Sequence, residues 1–125
     1  MKILLTGSEG YIGTVLAQVL LKAGHEVTGL DTEYYIAGWL YGKQHKISSC
    51  IKKDIREVSD KDLRGFDAVI HLAELSNDPL GQNDPQLTYE INHKGTARLI
   101  DQCLKAGVPR FIYSSSCSVY GASDS

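Results

Sequence analysis

Thr6-Gly7-Ser8-Glu9-Gly10-Tyr11-Ile12-Gly13 sets three glycines in G-x-x-G-x-x-G spacing, a pattern suited to laying backbone N–H groups against phosphate. Gly7 permits a tight turn, Gly10 lets the backbone approach a pyrophosphate, and Gly13 lets a following helix pack close to the preceding strand. Gly7, Gly10, Tyr11, Ile12 and Gly13 are therefore candidate dinucleotide-binding residues. The first interval is one residue longer than in G-x-G-x-x-G, and no Lys-Ser or Lys-Thr follows, so this is not a P-loop. Glu9 must point away from the phosphates. Asp31 lies 18 residues after Gly13, close to the roughly 20-residue offset of an acid that receives the adenosine ribose hydroxyls. A carboxylate there repels a 2′-phosphate, and Thr32, Glu33, Tyr34 and Tyr35 supply no Arg in its place. NAD is expected rather than NADP. The plainer alternatives are a glycine-rich turn without a ligand and an Asp that caps a loop.

Positioning such a loop takes a strand before it and a helix after it, and the apolar pattern predicts both. Ile3, Leu4 and Leu5 form a continuous run, as in a strand buried on both faces. Ile12, Val15, Leu16, Val19 and Leu20 recur at helical spacing, and Gly24 stops that helix. Further strands are predicted over Val27–Leu30, Lys46–Ile51, Ala68–Leu72 and Arg110–Tyr113, with a loop and one helical turn in 32–45, a short polar helix or turn over Asp60–Leu63 and a loop at Asn77–Gly81. A long helix is predicted from Pro85 to Ala106, with Leu87, Ile91, Ala97, Ile100 and Leu104 on one side and Tyr89, Leu99 and Cys103 off that stripe; Gly107 and Pro109 end it. Alternation of strand and helix implies an α/β fold: a Rossmann-type doubly wound parallel sheet of about five strands in the order 3-2-1-4-5, stopping after the fifth.

The 125 residues make one domain, spanning 1–125. A net charge of -2, from 13 Lys+Arg and 15 Asp+Glu, leaves no basic stripe for nucleic acid. No apolar stretch is long enough to span a membrane, and the short run before Gly7 is not a signal peptide. Cys50, Cys103 and Cys117 form no zinc or redox motif, so no metal is expected and a reducing, cytoplasmic setting is the simplest reading.

Six motifs then occur in one order: TGSEGYIG, Asp31, Asp54-Ile55-Arg56, His71-Leu72-Ala73, Asn92-His93-Lys94-Gly95-Thr96, and Ser114-Ser115-Ser116-Cys117-Ser118-Val119-Tyr120-Gly121. Together, over the whole chain, they resemble the extended short-chain dehydrogenase/reductases, in particular the NAD-dependent nucleotide-sugar epimerases and dehydratases. The resemblance implies that Asp54 and Ile55 hold the adenine ring, and that Leu72 and Ala73 line the dinucleotide. It implies that Asn92 stabilises the active-site backbone, that Ser114 and Ser115 lie near the nicotinamide, and that Ser116 is the catalytic Ser/Thr. Glu74 departs from the family's usual small residue. Each has a plainer alternative: Asp54 as a turn Asp, Asn92 as the cap of a kink, the serines as a polar strand end. His71 reads as a satisfied core histidine, and Tyr120 as packing.

The resemblance also implies a Tyr acting as acid/base with a Lys four residues on, the Lys lowering the Tyr pKa and holding the nicotinamide ribose. The residues four places after the seven tyrosines are Val15, Gly38, Trp39, His45, His93, Cys117 and Asp124, and none is Lys. The expected reading is the N-terminal, NAD(H)-binding half of an epimerase or dehydratase, without its substrate domain and inactive alone. Its nucleotide-sugar would be bound only with a C-terminal part. A non-enzymatic NAD-binding module and a structural remnant that oligomerises are the alternatives. Self-association is expected through the fifth strand's open edge, where Phe111, Ile112 and Tyr113 lie, or through the long helix.

Overall fold

A computed structural model describes residues 1–38, 47, 49–76 and 83–121. Five parallel strands, β1 (Lys2–Thr6), β2 (Glu26–Asp31), β3 (Cys50–Lys52), β4 (Ala68–His71) and β5 (Phe111–Tyr113), pair in the order β3-β2-β1-β4-β5. This is the predicted Rossmann-type order. The third strand begins later than expected, at Cys50; Lys46 and Ser48 of its predicted span, residues 39–45 and the loop expected at Asn77–Gly81 lie outside the described residues. The expected helical turn in 32–45 is a 3-10 turn at Ile36–Gly38, and the short helix α2 covers Asp60–Leu63 as predicted.

Alternate residues of β1 enter two cores. Ile3 and Leu5 join Val27, Ile47, Ala68, Ile70 and Ala17 on one face. Leu4 joins Leu30, Val69, Ile55, Val58, Leu63, Leu99 and Cys103 on the other. The continuous apolar run at residues 3–5 follows directly from this two-sided burial.

Helix α1 (Tyr11–Lys22) forms where predicted, but much of its apolar stripe is turned away from the sheet. Gly13, Thr14 and Ala17 are its buried residues, while Ile12, Val15 and Val19 are more than half exposed. Leu16 and Leu20 pack only at the margin of the core. The cause is the closeness of the helix: a face that rides against the glycine loop has room only for small residues.

The predicted long helix is three pieces: α3 (Pro85–Tyr89), a π segment (Glu90–Gly95) and α4 (Thr96–Ala106). The wide turn coincides with two tertiary contacts. Asn92 is bonded to the chain after β4, and a Cβ on Gly95 would lie 3.0 Å from Ile55 Cδ1. The core side of α4 is Thr96, Leu99, Gln102 and Cys103, a set spaced i, i+3, i+6, i+7. Ile100 and Leu104, expected on the main stripe, lie one residue further on, about 100° round the helix, and are exposed. Strand β5 lies at one end of this order, with Ile112 and Tyr113 about half exposed. Among the described residues no helix is long and apolar enough to cross a membrane, and Cys50, Cys103 and Cys117 are free thiols.

Candidate functional site

The carboxyl ends of β1, β2 and β4 meet at the glycine loop. Gly7 turns the chain with φ +70°, a left-handed conformation that only glycine adopts without penalty. Its N–H donates to Leu30 O at 2.8 Å, and Gly10 N–H donates to Gly7 O at 3.1 Å. A Cβ on Gly13 would lie 2.0 Å from Gly7 O, and one on Gly7 would lie 2.9 Å from Ala73 N. The loop is thus clamped between α1 and the end of β4, as the assigned roles of Gly7 and Gly13 require. Gly10 caps α1 with no side-chain hydrogen bond, and no acid occupies the helix's first turn. The N–H groups and positive end of the helix dipole there favour an anion. Tyr11 and Ile12 begin that turn with exposed side chains.

Asp31, at the end of β2, accepts from Glu9 N–H at 3.0 Å through one oxygen and from Glu33 N–H at 2.8 Å through the other. It therefore latches the glycine loop to β2. An ionised carboxylate has about four acceptor positions, so both oxygens keep capacity for hydroxyl donors. The Glu9 side chain is buried. Burial pushes the Cys50 thiol up, and the nearby Glu9 carboxylate adds to that shift.

Asp54 lies two residues beyond β3. One oxygen accepts from Arg56 N–H at 2.8 Å and Arg56 Nε at 3.0 Å, and the other from Arg56 Nη2 at 2.7 Å. This grip by Arg56 holds the carboxyl below the usual range. Asp54 thereby caps the 3-10 turn Ile55–Glu57, the turn-Asp role, and Ile55 buries its side chain in the core.

A polar network that spacing did not reveal fixes the end of β4. Thr6 Oγ1 accepts from Leu72 N–H and Ala73 N–H, both at 3.2 Å. Those bonds occupy its two lone pairs, so its own proton goes to His71 Nδ1 at 2.7 Å. The imidazole is then neutral with its proton on Nε2, which donates to Thr96 Oγ1 at 2.8 Å. His71 is fully buried, and desolvation lowers its pKa to about 4. It is the satisfied core histidine the sequence suggested, and its ring stacks on Tyr113 at 5.6 Å.

Asn92 clamps the next stretch, accepting from Leu75 N–H at 2.8 Å and donating Nδ2 to Leu75 O at 3.0 Å. Between the two anchors, the Glu74 carboxylate accepts the Tyr113 hydroxyl. Ser114 N–H donates to His71 O at 3.3 Å, continuing the β4–β5 pairing one step past the strand. Ser114, Ser115 and Ser116 are exposed, and Ser116 O accepts from Val119 N–H at 3.3 Å at the start of the turn Cys117–Tyr120. The glycine loop, Asp31, Leu72, Ala73 and Ser114 thus share the carboxyl edge of the sheet. Asp54 and Ile55 flank it beyond β3, and Asn92 acts on it from the helix layer.

A UDP-glucose 4-epimerase from Klebsiella pneumoniae is 36% identical over 129 residues, covering 97% of this chain and 93% of that protein. Among solved structures, a UDP-glucose-4-epimerase from Stenotrophomonas maltophila, with bound NAD and formylated UDP-arabinopyranose, superposes with a TM-score of 0.87 at 27% identity. An NAD dependent NDP-hexosamine 5,6-dehydratase involved in tunicamycin biosynthesis superposes with a TM-score of 0.85 at 32% identity. These alignments cover 100% and 99% of this chain and 40% of each of the solved chains. The NAD dependent epimerase/dehydratase family model matches residues 3–125, and the chain belongs to that family.

Proposed function

We propose that this chain is the NAD-binding part of a nucleotide-sugar epimerase or dehydratase. The observation that carries the reading is the clamped glycine loop at the uncapped start of α1, with Asp31 joined to it through Glu9 N–H. These residues fit a dinucleotide: first-turn N–H groups for a pyrophosphate, and a carboxylate for two ribose hydroxyls. When bound, NAD supplies the site that accepts a hydride from a sugar carbon and returns it. The backbone of Leu72 and Ala73, set by Thr6, lines the dinucleotide. Asp54 and Ile55 contribute the adenine end, Ser114 and Ser115 the nicotinamide end, and the Ser116 hydroxyl a hydrogen bond to the sugar's reacting oxygen.

The substrate of the complete enzyme is a nucleoside diphosphate sugar, and the setting is cytoplasmic. Self-association through the β5 edge or the exposed residues of α3 and α4 belongs to the same reading. Positioned acid–base catalysis is worth about 10²–10⁴-fold, and no Tyr here has a Lys four residues on. The chain alone is therefore expected to give no NADH absorbance change with UDP-, GDP- or dTDP-sugars. Turnover abolished by Ser116→Ala would overturn that expectation.

Calorimetry with NAD and NADP tests the binding itself. NAD should bind more tightly, and Asp31→Ala should weaken it by about one to two decades, the size of lost charge-assisted hydrogen bonds. Equal affinity for the two dinucleotides would refute the role given to Asp31.

A further inference from the structure

NAD bound as proposed has its adenosine ribose on the β2 side, at Asp31. A dinucleotide that crosses the point where strand order reverses then lays its nicotinamide half over β4 and β5. The segments leaving those strands, 72–82 and 114–125, contain no Lys, Arg or His. They do contain Glu74, which is placed firmly. Thr6 Oγ1 holds Ala73 N–H on one side, Asn92 holds both backbone polar groups of Leu75 on the other, and the Tyr113 hydroxyl donates to the carboxylate. The phenol is driven up to about 12, chiefly by that bond, so it stays a donor across the working pH range. Asp78 and Asp124, the other acids of these segments, lie outside the described residues; among the described ones Glu74 supplies one negative charge, half-buried and restrained, at the end of β4.

The two redox forms of the dinucleotide differ by a single charge in the same place: the oxidised ring is cationic and the reduced ring is neutral. A fixed anion on that side discriminates between them, whereas the glycine loop and Asp31 meet identical groups in both. We propose that Glu74, tethered by Tyr113, biases the site toward the oxidised dinucleotide. This rests on the NAD-binding reading and adds to it a determinant of redox state.

Dissociation constants of NAD+ and NADH, measured by calorimetry on the 125-residue chain, test it. Glu74→Gln deletes the charge and keeps an oxygen for the Tyr113 hydroxyl. It should lower the ratio Kd(NADH)/Kd(NAD+) about tenfold, the effect of two unit charges about 12 Å apart at an effective dielectric of about 20. Tyr113→Phe keeps the charge but releases it, and should move the ratio the same way by less. A ratio that stays put in Glu74→Gln, or equal weakening of both forms, overturns the assignment while leaving NAD binding intact. Wild-type chain that binds neither form overturns the NAD-binding reading, and this inference with it.

Discussion

Gly13→Ala should destroy the dinucleotide site and destabilise the fold together. The added Cβ would sit 2.0 Å from Gly7 O and 2.9 Å from Gly7 C and Ser8 Cα, all backbone atoms, so no rotamer change relieves it. Gly7 has no direction in which to retreat. Its N–H is tied to Leu30 O, and the space a Cβ on it would need is already filled by the backbone of Leu72 and Ala73. Either α1 lifts from the sheet or the ends of β1 and β4 separate. Overpacking of this kind costs about 3 kcal/mol, and displacing the N–H cradle should weaken NAD binding by about 100-fold or more. Urea unfolding and calorimetry read the two effects. Gly24→Ala is the control: its φ is +83° with nothing within 4 Å of a Cβ, so it strains the backbone but should leave NAD affinity unchanged. Normal NAD binding by Gly13→Ala would show that the helix can slide without loss.

The second large effect is on acid stability, and His71 is its source. Its folded pKa is lowered to about 4 from 6.5. Between those values the unfolded chain binds the proton and the folded chain does not. Stability is therefore fully present above pH 6.5 and is lost as pH falls toward 4, by about 3 kcal/mol in total. Protonation would also set two donors against each other, since Nδ1 accepts the Thr6 hydroxyl that holds Leu72 and Ala73. Urea midpoints from pH 8 to 4.5 should fall steeply in the wild-type chain. His71→Leu should be less stable at pH 8, with Thr6 and Thr96 losing their buried partner, and much flatter with pH. Parallel pH profiles for the two proteins would assign the acid sensitivity elsewhere.

What could be read beforehand was local. Runs such as residues 3–5 and 68–71 announce strands covered on both faces, and their alternation with helical segments leaves few topologies other than the one found. The glycine spacing and the offset of Asp31 carry their chemistry in the chain itself. The rest depends on partners far apart in sequence. Thr6, His71 and Thr96 are unremarkable singly, and their bonds span 65 and 25 positions. The inward face of α1 is set by how closely Gly13 lets it approach, which turns the helix so that only Leu16 and Leu20 of the apolar stripe reach the margin of the core. The π segment depends on Asn92 reaching Leu75, a contact absent from any helical pattern. Asp54 illustrates a residue whose motif and local roles overlap: Arg56, two residues on, grips the carboxylate, and only its surroundings show that grip.

The first of these five strands in the sequence lies in the middle of their order. As the polypeptide emerges from the ribosome, β1 can pair early with β2, Lys2 opposite Glu26, and begin to cover one face with α1. Its other edge must wait for Ala68–His71, and the second face stays open until Leu99 and Cys103 arrive. A nascent chain stopped before residue 99 thus carries a half-dressed sheet with Leu4, Leu30 and Val69 uncovered, the kind of surface that holding chaperones engage. The same order makes β1–β4 pairing, with its long intervening loop, the slower closure in refolding.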